Sequence, residues 1–170
     1  MPEKVAKFYK VSKEQFIKDF MDFIGGSEAA AERLYDNVKL PVRATKGSAG
    51  YDIISPVDIV LEPGQGVKVP SGLRIKMQPG WMLLVLPKSG LGTKFRLQLD
   101  NTMGLIDADY YGSLNEGHIM ISVTNDSRQG RTVSIPAGKA FVQAVLVPHG
   151  ITEDDEAEGE RTGGFGSTGV

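Results

Sequence analysis

Asn101-Thr-Met-Gly-Leu-Ile-Asp-Ala-Asp-Tyr-Tyr-Gly112 brings an amide, two glycines, two carboxylates and two tyrosines into one strand-turn-strand passage. Leu97 and Leu99 lead into it, and Leu105 and Ile106 sit at its centre. Glycine lets another group approach the chain closely, so a hairpin bent this tightly presents backbone N–H and C=O groups to a planar ligand. Asn101 carries both a donor and an acceptor, as reading the edge of a base requires. Asp107 has the chemistry to orient or deprotonate a water. On its own the stretch reads equally as a β-hairpin with a solvated acidic turn.

Other parts of the chain weigh on that choice. Arg161-Thr-Gly-Gly-Phe-Gly-Ser-Thr-Gly169 has four glycines, three hydroxyls and a single aromatic, too little to build a core. Such a segment is expected to stay flexible until something organises it. Backbone N–H groups, hydroxyls and a guanidinium suit a polyphosphate, and Phe165 supplies a flat face for a base. A plain Gly-rich tail is the other reading. Ala49-Gly50-Tyr51-Asp52 and Pro87-Lys88-Ser89-Gly90-Leu91 are further turns. The second follows an apolar run, residues 81–86, and would set a hydroxyl, a cation and free amides at a strand end. That makes a phosphate cradle without a helix.

In this order and at these separations the pieces resemble the trimeric all-β dUTP diphosphatase (dUTPase) family. The resemblance runs from Ala49 to Gly169 and rests on five motifs in sequence, not on any one of them. Gln143, within Gly138-Lys-Ala-Phe-Val-Gln-Ala-Val-Leu-Val-Pro148, falls where the fourth motif keeps its glutamine. Three positions depart from the family pattern. Lys88 stands where arginine is usual, keeping the charge without the bidentate fork. Ala140-Phe141-Val142 replaces Arg-Ile-Ala, and one residue fewer separates Arg161 from Phe165.

The resemblance implies a distorted jelly-roll β-sandwich and hydrolysis of dUTP to dUMP and pyrophosphate, with Mg2+ on the triphosphate. It implies Asp107 as the base that activates water, also holding the sugar 3′-hydroxyl, with Asp109 pinning the turn. Asn101 and the backbone of Gly104, Leu105 and Ile106 would read uracil, and the Tyr110 ring would pack under deoxyribose. Lys88, Ser89 and Gly90 would take phosphate oxygens, and Asp52 and Gln143 would reach Mg2+ through its waters. Arg161, Phe165, Gly166 and Ser167 would close over the nucleotide, and the active form would be a homotrimer with sites shared between subunits. A deaminase of the same superfamily, acting on dCTP, needs a glutamate on the strand after the hairpin. That strand, His118-Ile-Met-Ile-Ser-Val-Thr124, has no carboxylate, and Glu116 lies before it in an apparent loop insertion. A dUTP-gated regulator on the same scaffold is a further option, as an added role.

Bulk properties agree. The 170 residues suit one domain with a real core. A net charge of −2 lacks the basic excess of a nucleic-acid binder. With no cysteine, disulfides and thiolate chemistry are excluded, and His118 and His149 lack ligand spacing and read as surface or turn residues. No apolar run approaches a membrane span, and no signal-like segment opens the chain, so a cytoplasmic protein is expected.

The organisation changes near Pro41. Ahead of it, Ser12-Lys-Glu-Gln15 reads as a capping box, with Val11 and Phe16 as the hydrophobic staple. Phe16, Ile17, Phe20, Met21 and Ile24 mark one face of a helix that Gly25-Gly26 ends, and Ser27 caps a second helix. These helices, about residues 12–36, are expected to cover a sheet edge or part of the core. Beyond Pro41, turn signals arrive roughly every ten residues between short β-rich runs, the pattern of a sandwich or jelly roll. Residues 1–152 are therefore read as one β domain, 153–160 as an acidic extended tether and 161–170 as the arm.

Overall fold

The regular turn signals cut the chain into short strands. In the computed structural model, which describes residues 3–159 and Gly163, the chain begins with β1 (Ala6–Lys10), α1 (Lys13–Phe23) and α2 (Glu28–Asp36). There follow β2 (Val42–Arg43), β3 (Tyr51–Ile54), β4 (Ile59–Leu61), β5 (Gly66–Pro70), β6 (Leu73–Met77) and β7 (Trp81–Pro87). Then come α3 (Ser89–Phe95), β8 (Leu97–Leu99), β9 (Gly104–Ile106), a 3-10 helix (Ala108–Gly112), β10 (Met120–Asn125), β11 (Val133–Ile135) and β12 (Ala140–Pro148).

A five-stranded sheet runs β2-β3-β12-β7-β9 and a three-stranded sheet runs β5-β10-β8, with β1-β6 and β11-β4 as pairs. The pairings among the described residues are antiparallel and mostly join strands distant in sequence, the mark of the expected jelly-roll type. Burial alternates along β4, β8, β10 and β11, so one face of each supplies the core. Residues 151–159 are exposed and carry neither helix nor strand.

The helices form as their caps dictate. The Ser12 hydroxyl accepts the Gln15 N–H at 3.1 Å, and Ser27 caps α2 through Ala30 N–H at 3.3 Å. Gln15 does not return the bond expected of a capping box; its side chain donates to Asp19 at 2.9 Å. The reciprocal acceptor comes from far along the chain. Glu116 takes the Ser12 N–H at 2.7 Å and the Ser12 hydroxyl at 2.6 Å. Val11, Phe16, Phe20 and Ala31 are buried in the same cluster as the sheet residues, so the helices complete the core and are not a surface addition. Full burial of a ring such as Phe16 is worth about 1.5–3 kcal/mol relative to exposure.

Two readings from sequence are corrected here. His118 is fully buried, not a surface or turn residue, because α1 packs over it; His149 is exposed as expected. The Pro-Lys-Ser-Gly turn does open a helix, α3, with Lys88 as its N-cap residue. β1 was not foreseen: its lysines mask the alternation that pairs it with β6.

Two carboxyls tie α1 to the loop before β10. Burial pushes the Asp19 carboxyl up, but hydrogen bonds from His118 and Gln15 outweigh it and hold the group below its ordinary 3.8. Glu116 is likewise held below 4.5: burial raises it, and the Ser12 hydroxyl, the Ser12 N–H and Arg74 lower it further. A carboxyl lowered in the folded state contributes stability above its ordinary value and loses it as pH falls through the folded value. The melting temperature should therefore drop as pH is taken below about 4.5, and Glu116→Gln should shrink that drop. Calorimetry across acid pH on both proteins checks it; an unchanged profile for the variant would remove Glu116 as a source.

Candidate functional site

The expected hairpin does not close on itself. β8 pairs with β10, whereas β9 pairs with β7, so the two arms of the turn belong to different sheets. Each is the edge strand of its sheet. Thr102 makes the turn by adopting φ 67, with its N–H on Leu99 O at 2.8 Å, and Met103 N–H reaches Asn101 O at 2.7 Å. A non-glycine residue in that region carries roughly 1–2 kcal/mol of strain, so the turn is held by its surroundings. Between the splayed arms lies a cleft lined by Val85, Leu99, Asn101, Gly104, Ile106 and Ile119, among others. Asn101 is exposed and Gly104 buried. The Leu105 side chain is 47% exposed and does not line the cleft.

β9 runs directly into Asp107, which is partly buried and begins the 3-10 helix carrying Asp109 and Tyr110. Tyr110 is 3% exposed. Its hydroxyl donates to the His118 carbonyl at 2.9 Å and accepts from Asn115 Nδ2 at 2.9 Å. Both hydrogen-bonding roles of the hydroxyl are thus engaged, and what Tyr110 can offer a ligand is its ring. Glu116, turned toward Ser12 and 3.8 Å from Arg74, is not aimed at a base.

A second group gathers at the end of β7. Gln143 lies directly opposite Asp52 in the β12–β3 ladder, so their side chains share a face. The Lys88 ammonium reaches Asp52 Oδ2 at 2.7 Å. A Cβ on Gly50 would fall 2.7 Å from Gln143 Oε1, so only glycine leaves that carboxamide its place. Ser89 and Gly90 follow at the exposed start of α3. Lys88 and Asp52, assigned from sequence to phosphate and to metal, are thus paired with each other. The two groups stand toward opposite ends of β7. Ile106 pairs with Leu83, so Asp107 lies beyond Leu83, whereas Lys88 follows Pro87. Six residues of strand span about 20 Å at 3.3 Å each.

A profile of the dUTPase family matches residues 36–169. The chain belongs to the dUTPase family. The deoxyuridine 5'-triphosphate nucleotidohydrolase of Lactococcus lactis subsp. lactis is 38% identical over 150 residues, 86% of this chain and 99% of its own. That of Paraburkholderia phymatum is 41% identical over 77% of this chain and 89% of its own. Among solved structures, the dUTPase of Streptococcus mutans is 31% identical with a TM-score of 0.63, covering 86% of this chain and 98% of that one. A dUTPase from phage phi11 of S. aureus shares the fold at 22% identity and a TM-score of 0.64, covering 92% and 98%. The match to the dUTPase profile begins where α2 ends, so β1 and α1 lie outside it.

Relative to the dUTPase motifs, Asn101, Gly104 and Ile106 come together at the cleft, and Asp52, Lys88 and Gln143 at the other group. Arg161, Phe165, Gly166 and Ser167 lie outside the described residues. Sequence reasoning missed Asn115, His118 and Asp19. The legible signal was Asp19 itself, three residues after Phe16 on the apolar face of α1, where an unpartnered carboxylate would be costly. No helix among the described residues is long and apolar enough to cross a membrane.

Proposed function

We propose that this dUTPase-family chain hydrolyses dUTP to dUMP and pyrophosphate with Mg2+, by water attack on the α-phosphorus. It would thereby limit uracil incorporation into DNA and supply dUMP for thymidylate synthesis, working in the cytoplasm. The observation that carries this reading is the splayed cleft between two edge strands, with Asn101 at its mouth and Asp107 just beyond β9. Unladdered backbone groups of Gly104, Leu105 and Ile106, with the Asn101 carboxamide, match the donor and acceptor edge of uracil. Cytosine would leave buried groups wrongly paired, which discriminates strongly. Asp107 orients and deprotonates the water; the Tyr110 ring underlies deoxyribose and leaves no room for a 2′-hydroxyl.

Lys88, Ser89 and Gly90 bind phosphate oxygens. Asp52 and Gln143 offer hard oxygen donors on one face, which fit Mg2+ held through its waters, the habit of an ion that sheds water reluctantly. Bound there, Mg2+ supplies charge neutralisation on the triphosphate. The phage phi11 protein coordinates a structural Mg(II) ion. Lys88 already gives one of its three N–H donors to Asp52, which leaves two for a phosphate oxygen.

The ladder geometry supports a shared site. Asp107 and Lys88 of one chain lie too far apart to act on one phosphate, so a second copy supplies the other group, as in a homotrimer. Residues 1–152 form the catalytic body. The 153–160 tether, reaching about 25 Å when extended, carries Arg161, Phe165, Gly166 and Ser167 to a neighbouring site.

Pyrophosphate release from dUTP, UTP, dCTP and dTTP, assayed separately, tests the reading. dUTP should be preferred over each by at least about a hundredfold in kcat/KM. Equal kcat/KM for UTP would overturn the role of Tyr110, and ammonia release from dCTP would point to a deaminase.

A further inference from the structure

α1, outside the part matched by the family profile, reaches the residue that holds Tyr110. Asp19 Oδ2 lies 2.5 Å from His118 Nδ1, and His118 Nε2 accepts the Gly72 N–H at 2.8 Å. Because Nε2 is an acceptor, the ring hydrogen sits on Nδ1 and is given to Asp19. Both nitrogens of a fully buried ring are therefore fixed, one by a helix and one by the β5–β6 turn. Gly72 adopts φ +75, and a Cβ there would fall 2.7 Å from Val38 and 3.3 Å from Phe16, so glycine is required for α1 and the segment after α2 to sit this close. The main-chain carbonyl of the same His118 takes the Tyr110 hydroxyl, and Asn115 Nδ2 bridges that hydroxyl and that carbonyl. At the start of α1, Ser12 grips Glu116 in the same loop.

We propose that Asp19 is a positioning residue for substrate selection: through the His118 ring it sets the main-chain carbonyl that locks the Tyr110 ring under the sugar. The helical segment then contributes to the discrimination between deoxyribose and ribose as well as to the core. A loosened His118 lets the Tyr110 ring shift, and a floor that excludes a 2′-hydroxyl by contact alone loses its effect within an ångström. This inference rests on the reading of Tyr110 given above.

The experiment compares kcat/KM for dUTP and UTP, with Mg2+, in the full chain and in Asp19→Ala, Asp19→Asn, Ala31→Gly and Tyr110→Ala. Ala31→Gly weakens the helical segment at a buried site on α2, a different helix from the one that carries Asp19. Asp19→Ala should narrow the dUTP-to-UTP ratio about tenfold, chiefly through KM. Asp19→Asn keeps an oxygen that can accept from Nδ1–H and should keep most of the ratio; Ala31→Gly should lower the melting temperature and leave the ratio alone. Long-range 1H–15N spectra should show the hydrogen of His118 on Nδ1. An unchanged ratio in Asp19→Ala, an equal narrowing in Ala31→Gly, or the hydrogen on Nε2 would overturn the proposal. Should Tyr110→Ala keep the ratio, the sugar-floor reading fails and takes this inference with it; a failure of Asp19→Ala alone leaves that reading standing.

Discussion

Asp107→Asn should bind a non-hydrolysable dUTP analogue about as well as the parent protein and turn dUTP over at least about a hundredfold more slowly. An amide keeps the shape of the carboxylate but cannot take a proton from water. The substitution should also leave its surroundings in place. The Asp107 main-chain carbonyl, not its side chain, receives the Tyr110 N–H at 3.2 Å and starts the 3-10 helix. β9 is held by β7 through Ile106, Leu105 and Gly104, which the change does not touch. Cleft and Tyr110 ring should therefore survive, and the loss should fall on kcat. Positioned general bases contribute about 10²–10⁴-fold, so a fall of less than about tenfold would show that another group activates the water. Equilibrium titration and single-turnover kinetics separate the two quantities.

Removal of residues 161–170 should leave a protein that melts within about 2 °C of the intact chain, sediments as the same oligomer, and turns over dUTP at least about tenfold more slowly. The last strand, β12, ends at Pro148, and the core draws nothing from residues beyond it among those described. The removed stretch has one aromatic and four glycines, so it has little apolar surface to bury. What it does contain is a guanidinium, three hydroxyls and a ring, the groups that bind phosphates and stack on a base. Ordering a glycine-rich segment costs conformational entropy, so closure should await the triphosphate. Closure should exclude water and strengthen each charge interaction at the α-phosphorus, so the deficit is expected in kcat. Phe165→Ala and Arg161→Ala should each reproduce a part. Early melting, a smaller oligomer or normal turnover would each contradict this account of the arm.

Much of the candidate site was legible in residue types. Asn101, Gly104, Asp107, Gln143 and the Pro-Lys-Ser-Gly turn stand out because each chemistry needs that side chain, or the lack of one, at a turn. The Lys88–Asp52 pair was not legible, although both residues were singled out. Nothing in a turn at 52 and a turn at 88 says that β12 will bring β3 and β7 to its two sides. Glu116 shows the same limit from the other direction. It was read as a residue of a loop insertion, and it serves as the missing half of the capping box on α1, 104 residues away.

The linear chain by itself marked most of the strands and turns, the serines that cap α1 and α2, and the side chains able to carry chemistry. Those features depend on contacts within about four residues: period-two alternation, i to i+3 capping, and the conformational limits of glycine and proline. Partition of β8 and β9 between two sheets, separation of Asp107 from Lys88 along β7, and burial of His118 beneath Asp19 came from packing alone. Asp19 and His118 are 99 positions apart, and no local pattern can encode a partner at that distance. A buried carboxylate and a buried imidazole are tolerable only together, and the close approach of α1 to the β5–β6 turn is what brings them there.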